Sequence, residues 1–104
     1  MKPGRQYAKG AKRERQRVAW HYAQGAKWAI RAAGSHSPFD VVAVYEDRVE
    51  LEQIKSGVKP TKMDRVKFYC AAQRMSCTDV VMTLVWWPDR KEPVNVWTSI
   101  PPLQ

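Results

Sequence analysis

The tightest constraint on this fold is a pair of segments with only two residues between them. Residues 39–45 read FDVVAVY, a β-branched apolar run, and residues 48–55 read RVELEQIK, which alternates strictly. The link Glu46-Asp47 is long enough for a tight turn and too short for a crossover, so the two runs must pair antiparallel. In the second run Val49, Leu51, Gln53 and Lys55 share one face, while Glu50 and Glu52 point to the other.

The remaining elements are placed around this hairpin. Residues 10–24 read as a helix with Ala11, Glu14, Val18 and Tyr22 on its inward stripe, and Gly25 stands where a C′ residue ends it. Residues 26–32 carry Trp28 and Ile30 in alternation and read as a strand, followed by the turn cluster GSHSP at 34–38. Thr61 with Asp64 forms a capping-box-like start to a second helix at 62–75, whose expected inward stripe is Met63, Val66, Cys70 and Gln73, flanked by Tyr69. Residues 79–87 and 94–100 read as two further strands. The order α-β-β-β-α-β-β describes a mixed sheet with helices packed on it.

A chain of 104 residues has room for one core, and a chain this small often extends its core by pairing with a copy of itself. The expected division is a basic N-terminal arm at 1–9 and a single domain at 10–104. The first 17 residues carry seven positive charges and one negative charge, and the whole chain has a net charge of +8. That excess favours a polyanion, nucleic acid foremost, without choosing between RNA and DNA. No apolar run reaches the length of a membrane span, and the basic N-terminus lacks the apolar stretch of a signal peptide, so the expected setting is intracellular. Cys70 and Cys77 lack the spacing of a zinc site and read as reduced core thiols. The five tryptophans lie on elements with apolar periodicity and read as core or dimer packing. Trp86 and Trp87 are adjacent on one strand, so they must face opposite ways.

Three polar features break the core pattern. Glu14 lies along the inward helical stripe, where a carboxylate needs a cation or an arginine partner. Asp40 opens an apolar strand, as a ligand or as a turn-capping Asx. Gln53 and Lys55 end the partner strand on one face, either as site residues or as a strand leaving the core. An acid at one strand start, followed 13 residues later by a [DEQ]-x-K pair, is the layout of a phosphodiesterase site that uses a hard metal. Carboxylate and amide oxygens suit magnesium. The lysine is placed to hold the attacking water or to offset charge on a pentacovalent phosphate.

With these residues in hand, the chain resembles the archaeal-type Holliday junction resolvases of the PD-(D/E)xK nuclease superfamily. YAKGAKRER (7–15) is similar to the family's Y-x-K-G-x-x-x-E-R segment, IRAAGSHSPFDVVAV (30–44) to its R-x-A-G-S stretch with an aspartate-led strand, and LEQIKSG (51–57) to its E-x-K strand. The resemblance implies a restriction-endonuclease-like mixed β-sheet flanked by helices. It also implies a Mg²⁺-dependent endonuclease, with Mn²⁺ able to substitute, that resolves four-way DNA junctions as a homodimer. Glu14, Asp40 and Gln53 would hold the metal, with Lys55 and the loop hydroxyl of Ser35 beside them. Arg15 and Arg31 would contact DNA. Lys2, Arg5, Lys9, Lys12 and Arg13 of the basic N-terminal region, with Lys59 and Lys62, would grip phosphates. Gln53 departs from the family's usual glutamate and removes one negative charge. Three other readings stay open: a nuclease of this fold acting on flaps or duplex, a non-catalytic structure-specific DNA-binding module, and a basic RNA-binding module.

Overall fold

A computed structural model describes residues 3–32 and 38–99, with side chains from residue 10 onward. The element order is α1 (Pro3–Ala23), β1 (Trp28–Arg31), β2 (Val41–Val44), β3 (Val49–Ser56), α2 (Lys62–Arg74), β4 (Val80–Trp87) and β5 (Val94–Thr98). This is the order expected from the sequence. Among the described residues the strands form one sheet in the order β1-β2-β3-β4-β5. β1, β2 and β3 pair antiparallel in turn, β3 and β4 pair parallel through the α2 crossover, and β4 and β5 pair antiparallel. A mixed sheet flanked by helices is thus established.

The hairpin forms as its two-residue link requires. Tyr45 donates its N–H to the Arg48 carbonyl at 2.8 Å, and Val44 pairs with Val49. Helix α1 starts at Pro3, seven residues before the start read from periodicity and inside the segment read as an arm. Proline suits a first turn because its missing N–H would have no helical acceptor there. The helix ends as Gly25 dictates. Gly25 has φ +101°, Ala26 N–H reaches back to the His21 carbonyl at 3.0 Å, and Gly25 N–H reaches the Tyr22 carbonyl at 3.1 Å. Those two bonds make a Schellman motif, which turns the chain sharply into β1.

Helix α2 begins with a complete capping box: Thr61 N–H donates to Asp64 Oδ2 at 2.8 Å and Asp64 N–H to Thr61 Oγ1 at 3.1 Å. Its inward stripe is not the expected one. Phe68, Ala71 and Ala72 are buried, whereas Met63, Val66, Tyr69 and Cys70 are exposed. Both faces of this helix carry apolar residues, so periodicity alone does not choose between them. The choice is made by the sheet, where Phe68 and Ala72 close against Phe39, Met82 and Leu84. For the same reason Cys70 and Cys77 are exposed free thiols and not core thiols. On the opposite side of the sheet α1 covers Ala29, Ala43 and Tyr45, and Val18 bridges to Val41, Ile54 and Val85. Trp87 packs on this α1 side, while the Trp86 indole N–H turns the other way to the Gly57 carbonyl at 3.0 Å. Trp20 and Trp28 are exposed, so core packing does not describe them within one chain.

The corrected stripe has a measurable consequence. Phe68→Ala removes a buried ring and is expected to cost about 3–5 kcal/mol in urea unfolding. Val66→Ser on the outer face should stay within about 0.5 kcal/mol of the parent. Equal losses for the two variants would contradict this assignment of faces.

Candidate metal and phosphate site

Asp40 precedes β2 and sits between the ends of β1 and β3. Its carbonyl accepts the Ala32 N–H at 2.8 Å and its own N–H donates to the Glu52 carbonyl at 2.7 Å. Its side chain then continues the ladder, because Oδ2 accepts the Ile54 N–H at 2.9 Å. The carboxylate is therefore pinned through backbone on both sides. The Asx reading of this residue and the ligand reading are compatible, since one oxygen serves the strand. Among the described residues no partner takes the other oxygen.

Charges converge on this group. Burial raises the Asp40 carboxyl above its ordinary range, the Ile54 amide pulls it down, the Glu14 carboxylate raises it, and Lys55 and Arg31 lower it, with a net rise. Glu14, Arg31 and Lys55 are thus all close enough to act electrostatically on Asp40. Glu14 arrives from α1 and takes an arginine partner, Arg31 Nε at 3.1 Å, with both side chains mostly shielded from solvent. A half-buried carboxylate whose ionisation a second carboxylate opposes is the kind of donor a hard cation relieves. The residues present fit Mg²⁺ or Mn²⁺.

Gln53 and Lys55 lie on the α2 face of β3, as alternation requires. With Pro38, Asp64, Lys67 and Phe68 they line a recess of about 300 Å³. Lys55 Nζ stands 3.9 Å from Asp64 Oδ1, and both side chains are partly exposed, so the pair orients the ammonium without burying it. Asp64 and Lys67 were not identified as site residues from the sequence. Asp64 carried a visible signal, its capping role, which places a carboxylate at the helix start that follows the E-x-K strand.

The predicted phosphate contacts fall on both sides of the sheet. Lys59 Nζ lies 5.8 Å from the Trp86 ring centre, and Trp86 is the register partner of Lys55 on β4. Lys62 is exposed at the start of α2. On the α1 side Lys12 and Arg15 are exposed, and the Arg13 guanidinium stacks over Trp87 at 4.8 Å. Lys9 lies in α1, in the part whose side chains are not described, and Ser35 falls outside the described residues, as do Lys2 and all of the expected 34–38 turn cluster but Pro38.

Glu52 occupies the other face of β3 and is held in a buried network. Arg17 donates Nε–H to Oε1 and Nη2–H to Oε2, both at 2.8 Å. His21 Nε2 lies 2.8 Å from Oε1, and His21 Nδ1 lies 2.7 Å from the Tyr45 hydroxyl. Burial works to raise the Glu52 carboxyl, but the bonds from Arg17 and His21 outweigh it and hold the group below its ordinary range. An ionised carboxylate only accepts, so His21 Nε2 carries a proton. His21, Glu50 and Glu52 offer ligand atoms within 4.8 Å of one another. Distance alone would admit a cation there. Glu52 is already engaged through both oxygens, His21 through both ring nitrogens, and Glu50 through Arg48 Nε at 2.7 Å. A cation at this cluster would also stand against the Arg17 guanidinium, whereas Asp40 keeps one carboxylate oxygen without a partner among the described residues.

A carboxyl whose pKa is higher folded than unfolded binds its proton more tightly in the fold. Its contribution is most favourable below the ordinary value of 3.8 and is lost as pH rises through the folded value. At neutral pH ionised Asp40 therefore costs stability. Asp40→Asn keeps an acceptor for the Ile54 amide and removes the charge, so its melting temperature at pH 7 should rise above the parent's. The difference should shrink as pH falls through the folded value toward 3.8. A lower melting temperature at pH 7 would count against the convergence of charge on Asp40.

Among the described residues no helix is long and apolar enough to cross a membrane. No family model matches the sequence, and no curated protein matches it. The structure, by contrast, is similar to that of Hjc, a Holliday junction resolvase from the archaeal hyperthermophile Archaeoglobus fulgidus, with a TM-score of 0.59 and 21% sequence identity over 81% of this chain and 72% of that one. The resemblance read from the motifs at 7–15, 30–44 and 51–57 thus reappears in the arrangement of the backbone, and the chain has an Hjc-like, restriction-endonuclease-like α/β fold.

Proposed function

We propose that this chain is a divalent-metal-dependent endonuclease acting on branched DNA, four-way junctions foremost, as a homodimer inside the cell. The observation that carries the reading is the convergence of Glu14, Arg31 and Lys55 on a half-buried, strand-pinned Asp40, in a fold shared with a resolvase. Asp40 with Glu14 and Gln53 would hold Mg²⁺ or Mn²⁺ through oxygen atoms alone. When bound, such an ion polarises a phosphoryl oxygen and acidifies water.

The chain's own residues supply the remaining roles. Lys55 projects into the recess beside Gln53, where its ammonium can orient a water or offset charge on the phosphate in the transition state. Asp64 keeps that ammonium from swinging into solvent. Lys59, Lys62 and Lys67 border the same end of the sheet and would grip phosphates on either side of the scissile one. Such contacts read shape and charge, not base sequence, which suits a branched substrate.

A second reading is favoured by Gln53, whose neutral oxygen replaces a carboxylate. In it the chain binds DNA branches without cutting them. Glu52 offers no rescue, because Arg17 and His21 hold it on the opposite face.

Cleavage of a labelled four-way junction separates these readings. The parent should cut in Mg²⁺ and stop in excess chelator, and Asp40→Ala should lose at least about a hundredfold in rate while still retarding the junction in a gel. Gln53→Glu should tighten Mn²⁺ binding about tenfold, as added ligand charge does. Equal cutting by the parent and Asp40→Ala would sink the nuclease reading. A silent parent that Gln53→Glu awakens would favour the binding module.

A further inference from the structure

The network on the α1 face of β3 has no part in the chemistry proposed above, yet it is the most buried polar assembly among the described residues. Glu52 is 1% exposed, Arg17 5% and His21 0%. Arg17 stacks its guanidinium 3.8 Å from the Trp20 ring centre, and His21 meets the edges of Trp20 and Tyr45. No buried side-chain nitrogen or oxygen is left unpaired among the described residues. Buried ion pairs of this kind add little stability over well-packed apolar side chains of the same volume, because desolvation offsets the attraction. What they do provide is direction.

Toward β1, α1 has directional contacts of its own, the Tyr22 hydroxyl on the Ala29 backbone and Glu14 on Arg31 Nε, each at 3.1 Å, but toward β3 it otherwise brings, among the described residues, only Val18 onto Ile54. The apolar residues α1 sets on the sheet are small: Ala11 is buried and Val18 partly so. Such contacts tolerate sliding and rotation. A bidentate fork does not, since a one-residue slip moves a helical side chain 1.5 Å along the axis and about 100° around it. Glu14 lies one turn before Arg17 and two turns before His21. Glu52 lies next to Gln53, its carbonyl accepts the Asp40 N–H, and the Ile54 N–H two residues on donates to the Asp40 carboxylate. The same strand residue therefore fixes Asp40 through its backbone and α1 through its side chain.

We propose that Arg17, Glu52, His21 and Tyr45 form a register lock that sets helix α1 along β3 and so presents Glu14 to Asp40. They are positioning residues. Why that register matters rests on the nuclease reading. The register itself does not.

The test replaces the charged lock with apolar volume, in the triple variant Arg17→Met, His21→Phe, Glu52→Leu. Nitroxides at exposed positions 16 and 67, with Cys70→Ser and Cys77→Ser to remove the exposed thiols, report the α1-to-α2 distance by pulsed dipolar spectroscopy. The parent should give one narrow distribution. The triple variant should still unfold cooperatively but give a distribution broadened or shifted by at least about 1.5 Å. Arg17→Lys, which keeps the charge and loses the fork, should broaden it to a lesser degree. A folded triple variant with the parent's distribution overturns the lock. So does a triple variant that cannot fold while Arg17→Lys keeps the parent's distribution, because the network would then hold the fold and not the register. With an active parent, the triple variant should lose about tenfold in kcat at unchanged KM for DNA. A parent that never cleaves overturns the nuclease reading alone, and the distance measurement still decides the lock.

Discussion

Strand β3 has to satisfy two incompatible surroundings at once, and it does so through the period of two. Leu51 packs toward α2, and Gln53 and Lys55 follow it on that face into an open recess beside Asp64 and Lys67. Glu52 and Ile54 turn toward α1, into a closed layer where a carboxylate survives only with every lone pair engaged. A one-residue slip would exchange these faces, placing Gln53 and Lys55 under α1 and Glu52 in the open. The two-residue link to β2 forbids that slip. The hairpin is therefore the part on which both the site and the α1 contact depend.

The same geometry explains why Asp40 is held against its own electrostatics. Its carboxylate takes an Ile54 amide that would otherwise lack an acceptor at the end of the strand, a bond that favours the charged form. Burial and Glu14 disfavour that form more strongly. A site tuned purely for stability would place an apolar residue or an amide there. Retaining two acids near each other, partly balanced by Arg31 and Lys55, is strain that a bound cation would remove.

Much of this was legible in the sequence, and the boundary of legibility is physical. The hairpin, the element order, the stop at Gly25 and the cap at Thr61 are local, written in patterns of two to four residues, and each appears in the structure. The stripe of α2 was misread because Met63, Val66 and Cys70 are as apolar as Phe68, Ala71 and Ala72, and only Phe39, Met82 and Leu84 on other elements choose between them. The Arg17–Glu52–His21 network spans 31 to 35 residues of sequence and consists of side chains normally read as outward. One signal was available: His21 lies seven residues, two turns, after Glu14, on the stripe that was assigned to Tyr22 instead.

The neutral Gln53 is the point at which fold and function come apart, and the network bears on it. Only a one-residue slip of β3, already opposed by the short link to β2, could bring the Glu52 carboxylate into the recess. Arg17 removes that option, since withdrawing Glu52 would leave a guanidinium buried and unpaired, a loss of several kcal/mol. The charge at the site must then come from Asp40 and Glu14, with Asp64 standing 3.9 Å from Lys55. Glu14 belongs to a different element from the other donors, so its contribution is only as good as the placement of α1. In the proposed nuclease reading, a site with a neutral Gln53 on β3 would depend more heavily on the helix that brings Glu14, and that dependence would give the buried cation–carboxylate contact its importance for a recess on the far side of the sheet.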